Sequence, residues 1–247
     1  MRSETTPLPT VAVDFETHYA ADYSVKDLGN RAYCDDPRFN AWAVAVYDGA
    51  TAWAGHPKAC DWQQLHGRIW VSHNRAFDKA VFERLQRDGV IPCSIAPAAW
   101  HCSAAACAFL QLPRDLKGAC AALLGEVPDK AFRKALKGRH DNDLFDALDA
   151  EETAYATQDA VLCWRLWQQV GPRWPERERR LFELTVSMGA HGLCVDWQQL
   201  DAERSRLADL CAALQRDIPW TPALSIKAFQ RHCGFGRVEP PASTAAG

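Results

Sequence analysis

The sequence predicts an α/β protein, a mixed sheet with flanking helices followed by a short helical C-terminal extension. Three observations carry this reading. Thr10-Val11-Ala12-Val13-Asp14-Phe15-Glu16-Thr17 is a β-branched, mostly apolar run of strand length. Ala41-Trp42-Ala43-Val44-Ala45-Val46-Tyr47 is a second such run, Asp48-Gly49 reads as a tight turn, and residues 50–54 read as the returning strand. Residues 68–72 form a further strand that leads into a helix over 74–88, where Phe77, Val81 and Leu85 recur at helical spacing. Antiparallel strands at the start of a chain, then a strand leading into a helix, point to an α/β or α+β sheet and away from a helical bundle.

The first strand holds the chemistry. Residues two apart on a strand share a face, so Asp14 and Glu16 project together while Val13 and Phe15 face the other way. Two carboxylates on one face of a core strand repel each other and resist desolvation. A hard divalent cation such as Mg²⁺ or Mn²⁺ resolves that conflict, because it prefers carboxylate oxygens. The plain alternative is a strand end whose acids face water.

Composition sets the bounds. A chain of 247 residues with 48% hydrophobic and 24% charged residues is long enough for one good core and a small appendage. The ten tryptophans are expected to be mostly packing residues. A net charge of −3 gives no global sign of a nucleic-acid binder, so phosphate contacts must come from local basic groups. The ten cysteines include no C-x-x-C pair, and no secretory leader is evident. This favours reduced, buried thiols over a zinc site or a disulfide framework. No apolar run approaches the ~18–20 residues needed to span a bilayer. The expected protein is soluble and cytoplasmic, bacterial or phage-encoded, with no membrane partner.

The remaining elements follow in order. Residues 17–36 read as a loop with a short helix that carries Tyr19, Tyr23, Leu28 and Tyr33. Residues 61–66 form one or two helical turns, and Gly89 is a C-cap for the helix over 74–88. A short strand at 100–102 precedes helices over 103–110 and 115–124. Residues 129–148 are polar and rich in Lys and Arg, either a solvated helix face or a basic surface beside the substrate path. Asp149-Ala150-Glu151-Glu152 fits a capping box for a helix through Trp167, which Gly171-Pro172 ends. Tyr155 and Asp159, four apart, share a face of that helix. Helices follow over 176–190 and from 197, the latter striped by Leu200, Leu207, Leu210, Cys211 and Leu214. Pro219 and Pro222 break it, and a short helix over 225–233 precedes a disordered end.

Asp14-x-Glu16 on a first strand, Asn74-x-x-x-Asp78 opening a helix and Tyr155-x-x-x-Asp159 inside a late helix together resemble the DEDD 3′–5′ exonucleases. That resemblance implies a ribonuclease H-like fold. Tyr155 four before Asp159 marks the tyrosine subclass (DEDDy), since the histidine subclass places His five before the last Asp, where this chain has Ala154. Within it, the chain looks most like the exonuclease domain of phage-type family A DNA polymerases. Asp27-Leu28-Gly29, Ser72-His73-Asn74 and Trp100-x-Cys102-Ser103 support this. Glu178-Arg179-Arg180-Leu181 through Gly192-Leu193-x-Val195-Asp196 resembles the link into the polymerase thumb. No palm or fingers and none of the later acidic polymerase motifs are found. The expected layout is an exonuclease domain over 8–172, a helical extension over 173–235 resembling the start of a thumb, and a disordered tail over 236–247.

The resemblance implies a metal-dependent 3′–5′ exonuclease that removes nucleoside 5′-monophosphates from DNA 3′ ends, a proofreading-type activity. It implies two divalent ions, Mg²⁺ or Mn²⁺. Asp14 would bridge them, Glu16 and Asp159 would complete the first site, and Asp78 would serve the second directly or through water. Tyr155 would orient the attacking water, with a phenol pKa near ~10 making it a positioning group and a poor base. Thr17 and Phe15 would pack on the terminal nucleotide or touch its phosphate, although strand alternation also makes Phe15 a core residue. Asn74 and His73 are further candidate substrate contacts, and His73 reads equally as a satisfied structural histidine. Expected partners are single-stranded DNA or a frayed primer 3′ end, and a separate polymerase subunit is a candidate. Two alternatives stand beside this: an RNA 3′-end trimming exonuclease like ribonuclease D, and a non-catalytic module that docks a polymerase.

Overall fold

Alternation along the first strand divides the molecule into layers. In the computed structural model, which describes residues 9–126, 150–192 and 194–217, the strands are β1 (Thr10–Thr17), β2 (Ala41–Tyr47), β3 (Ala52–Gly55), β4 (Ile69–Ser72) and β5 (Ala99–Cys102). They form one sheet in the order β3-β2-β1-β4-β5. β1–β2 and β2–β3 are antiparallel, whereas β1–β4 and β4–β5 are parallel. This mixed five-stranded order, with helices on both faces, is the ribonuclease H-like arrangement. No helix among the described residues is long and apolar enough to cross a membrane.

One face of the sheet carries the odd residues of β1. Val11, Val13 and Phe15 pack with Val44, Trp70 and Val81, under α1 (Val25–Asp35) and α3 (Arg75–Arg87). Tryptophan fills this layer: Trp70 is fully buried and meets Phe82 and Trp100 edge-on at centroid distances of 5.1 and 4.9 Å. The short helix α2 (Trp62–Leu65) adds Trp62, whose ring stacks on Phe15. The stripe Phe77, Val81 and Leu85 does face this core. α3 ends in a Schellman turn, with Val90 N–H on the Leu85 carbonyl at 2.9 Å and Gly89 at φ +72°. A positive φ there is what a glycine tolerates and a β-branched residue does not.

The opposite face is built from small residues. Ala12 and Ala45 on the sheet meet Ala156 and Ala160 of α6 (Ala150–Val170), and α4 (Ser103–Phe109) and α5 (Leu116–Leu124) complete the layer. Alanines on both surfaces let α6 lie close to β1 and β2. The β2–β3 connection differs from the tight two-residue turn expected. Asp48 Oδ1 accepts from the N–H groups of Ala50 and Thr51, and Asp48 N–H donates to the Thr51 carbonyl, which spreads the turn over four residues. Gly49, at φ +100°, is required there, since a Cβ would sit 2.5 Å from the Trp164 ring.

The described residues divide into two compact units between Thr185 and Val186. The first turns of α7 (Glu176–His191) belong with the first unit for a physical reason. Arg179 donates to the Trp174 and Gly171 carbonyls and lies over the Trp167 ring, while Glu183 pairs with the buried Arg75. In the second unit, α8 (Trp197–Asp217) leaves Leu200, Leu207, Leu210 and Leu214 exposed. The basic run at 129–148, the capping residue Asp149, the helix expected over 225–233 and the tail over 236–247 all lie outside the described residues.

His101 on the edge strand β5 stacks on Trp167 at 4.9 Å and 15°. Burial, with Arg179 and Arg75 nearby, pushes its pKa down to about 4, and Glu183 and Glu176 pull weakly the other way. The unfolded chain therefore binds a proton that the folded chain refuses between the unfolded value of about 6.5 and the folded one. Stability from this group is present above that window and is lost as pH falls through it. Thermal unfolding should show a melting temperature that drops between pH 6.5 and 5, and His101→Phe, which keeps the stack, should flatten that slope. An unchanged slope would assign the pH effect elsewhere.

Candidate active site

The site sits where β1 outruns its parallel neighbour. Pairing of β1 with β4 ends at Ala12 and Val71. Past that point the backbone groups of Val13 and Phe15 on the β4 side need other partners, since a buried unpaired group costs free energy. Ser72 Oγ donates to the Val13 carbonyl at 2.7 Å, and Asp78 Oδ1 accepts from Phe15 N–H at 3.1 Å. Two side chains thus continue the ladder that the strand cannot. The gap they close lies at the carboxyl end of β4, a common place for a ligand site in sheets with parallel strands.

Asp14 and Glu16 project from β1 on the α6 face, the side of Ala12. Asp159 comes from α6 itself, and one carboxylate oxygen from each of the three lies within 4.8 Å of the others. All three are half-buried. The close contact of Ala12 and Ala45 with Ala156 and Ala160 brings the helical carboxylate down to the strand. An all-carboxylate donor set at this spacing suits a hard divalent cation, which takes oxygen ligands at about 2.0–2.6 Å. Ala156, Ala160 and Cys163 lie on the buried side of α6. Burial raises the Cys163 thiol well above its ordinary range, and the charges of Asp14 and Asp78 add to this. The thiol stays neutral.

Asp78 stands apart from this trio. It reaches the end of β1 from α3, in the opposite layer, and is 2% exposed. Burial lifts its carboxyl well above the usual carboxylate range, the Phe15 N–H pulls it back, and the nearby Glu16 charge adds to the rise. Asp78 is therefore bonded to the strand that carries Asp14 and Glu16. Tyr155 lies on α6 one turn before Asp159, and its side chain is outside the described residues.

The candidate substrate contacts separate. Thr17 lines a cleft of about 450 Å³ that also holds Asp14, Glu16 and Asp159. Phe15 touches that cleft, but it is 3% exposed and its ring stacks on Trp62, so the side chain is a core residue. His73 is at the cleft wall with both ring nitrogens engaged, Nδ1 with Ser103 Oγ at 2.9 Å and Nε2 with the Arg114 carbonyl at 2.8 Å. A carbonyl only accepts, so Nε2 carries a proton and donates it to Arg114. Asn74 is exposed at the N-terminus of α3 and makes no capping bond with its side chain. It is not part of the cleft wall. Tyr19, Lys26, Tyr33, Phe77 and Asp115 line the cleft without having been singled out from the sequence as site residues. Only the aromatic pattern of residues 17–36 hinted at the two tyrosines. A larger groove of about 680 Å³ runs between α3, β5 and α7, but its walls pair Arg75 with Glu183, Lys79 with Glu83 and Arg180 with Glu176. The carboxylate trio belongs to the smaller cleft, and the chemistry goes with it.

No family model and no curated protein matches this chain. Among solved structures, the chain is similar to Brucella melitensis NrnC with bound Mg²⁺, at 20% identity and a TM-score of 0.49 over 71% of this chain and 78% of that one. The same protein bound to pGG gives 21% identity and a TM-score of 0.48 over the same shares. The Trypanosoma brucei RNase D complex with RNA U12 gives 14% identity and a TM-score of 0.47 over 66% of this chain and 55% of that one. These are likenesses of fold.

Proposed function

We propose that this protein is a metal-dependent 3′–5′ exonuclease that hydrolyses phosphodiester bonds at the 3′ end of a single-stranded nucleic acid. The observation that carries the reading is the convergence of Asp14, Glu16 and Asp159 within 4.8 Å at the base of a cleft. Bound divalent ions supply Lewis acidity and an activated water for in-line displacement at phosphorus. Asp14, Glu16 and Asp159 would hold those ions. Asp78 would keep β1 in register by its bond to Phe15 N–H and lend its charge to the site. Tyr155 would orient the attacking water. Half-buried Tyr19 and Phe77 on the cleft wall suit stacking of unpaired terminal bases, a contact that tolerates any sequence. Lys26, on the same wall, suits a backbone phosphate.

The preference for DNA expected from the sequence rested on thumb-like residues of α7. In the structure Arg179 and Glu183 have another task, tying α7 to Gly171, Trp174 and Arg75. That task is the same for any substrate, so RNA 3′-end trimming fits at least as well as DNA proofreading. A non-catalytic docking module gives no reason for three mutually repelling carboxylates to be held together. A single assay tests all three readings: 5′-labelled RNA and DNA oligonucleotides of one sequence, incubated in parallel with Mg²⁺ or Mn²⁺. A ladder that shortens from the 3′ end and vanishes with EDTA is the expected result, and the faster strand names the substrate. No shortening of either strand would overturn the enzyme reading.

A further inference from the structure

Gln111 is the one non-glycine residue at positive φ among the described residues, at +59°. A side chain makes that conformation costly, so it persists only where the surroundings impose it. Before it, Gln111 N–H donates to the Ala108 carbonyl at 3.1 Å and Leu112 N–H to the Cys107 carbonyl at 2.9 Å, which closes α4. After it, Asp115 caps α5, with Oδ1 accepting from Gly118 N–H at 2.8 Å. Between these two fixed points His73 reaches in from the turn between β4 and α3, and its Nε2 donates to the Arg114 carbonyl at 2.8 Å.

His73 is a firm anchor. Its own carbonyl accepts from Ala104 N–H at 3.1 Å and from the Cys102 thiol at 3.4 Å, and its Nδ1 lies 2.9 Å from Ser103 Oγ. The same turn carries Ser72, which holds the Val13 carbonyl, and leads into the α3 segment with Phe77 and Asp78. The loop that His73 grips ends in Asp115 and Leu116, which line the cleft together with Asp14, Glu16 and Asp159. One hydrogen bond thus joins the framework of the carboxylate site to a wall of its cleft.

We propose that His73 is a positioning residue: through the Arg114 carbonyl it holds the Asp115–Leu116 wall where a bound strand meets it, and so sets the affinity for that strand. This rests on the reading of the cleft as an exonuclease site. The strain at Gln111 gives the bond its leverage. Without the bond, Gln111 relaxes towards negative φ, and that rotation carries Arg114 and the residues after it out of place. His73 acts in this way without touching the substrate.

The test uses the full chain with His73→Gln, His73→Asn, Gln111→Gly and the double variant His73→Asn with Gln111→Gly. A glutamine amide extends as far as Nε2 and can donate to Arg114, whereas an asparagine amide extends only as far as Nδ1. Single-turnover cleavage of a 5′-labelled single strand over a range of protein concentrations separates half-saturation from maximal rate. Hydrogen exchange of amides 111–119 in the unliganded protein reads the loop directly. His73→Asn should raise the half-saturating concentration about tenfold, the scale of one net hydrogen bond, with little change in maximal rate and with faster exchange. His73→Gln should stay near the unaltered protein in both readouts. Gln111→Gly, which adopts positive φ without strain, should restore much of the affinity that His73→Asn loses. A direct substrate contact by His73 predicts no such return, so its absence would overturn the proposal. Exchange left unchanged by His73→Asn, or an equal loss of affinity in His73→Gln and His73→Asn, would also overturn it. Where His73→Asn alone does not fold, the double variant against Gln111→Gly makes the same comparison, and a tenfold difference between those two counts against the proposal. Should the unaltered protein cleave no strand, the exonuclease reading fails, and the exchange data then decide by themselves whether His73 holds the loop.

Discussion

Asp14→Asn should lower cleavage of a single-stranded 3′ end by well over ~100-fold, because outer partners of metal ligands alone are worth about 10–100-fold and Asp14 is placed to be a direct ligand. The same variant should be no less stable than the unaltered protein in EDTA. Asparagine fills the same volume and removes one of three carboxylates that crowd within 4.8 Å, where like charges raise the free energy of the folded state. Magnesium should raise the melting temperature of the unaltered protein, since an ion that binds only the folded chain stabilises it by mass action. That rise should be much smaller in Asp14→Asn. Calorimetry in a magnesium titration reads this without any activity assay. Equal stabilisation of both proteins by Mg²⁺ would show that the trio does not hold the ion, whatever the activity.

Asp78 should separate two roles when it is replaced in two ways. Asp78→Ala removes the acceptor for Phe15 N–H, a buried bond at 3.1 Å, and should destabilise the fold by about 1–3 kcal/mol. Asp78→Asn keeps an oxygen acceptor and removes a charge that burial already disfavours. It should fold with stability equal to or above that of the unaltered protein. If the carboxylate also serves the ions, Asp78→Asn should still lose more than about tenfold in cleavage. Denaturant unfolding and cleavage of one labelled oligonucleotide, run on both variants, give the answer. Full activity in Asp78→Asn would leave Asp78 with the structural task alone.

The sheet and most helices were legible because each rests on a local pattern. Thr10–Thr17 and Ala41–Tyr47 are β-branched or apolar runs bounded by polar residues, and both strands have those limits in the structure. Gly89 closes α3 as expected because a Schellman turn needs only the last few residues of its own helix. The turn after β2 was less legible, since Asp48 chose backbone partners at Ala50 and Thr51 and the Trp164 ring closed over Gly49 from a helix far along the chain.

The sequence by itself determined that Asp14 and Glu16 share a face, since the period of a strand is two, and that Tyr155 and Asp159 share one, since four residues make about one helical turn. It could not decide which faces meet. The tertiary structure decided that, through alanines at positions 12, 45, 156 and 160 that let α6 lie on the carboxylate side of β1. It also bonded Asp78, from α3, to the Phe15 N–H of β1, and gave both nitrogens of His73 to Ser103 and Arg114. Local periodicity fixes which way a side chain points. The partner it finds there depends on packing between segments distant in the chain, which no local spacing encodes.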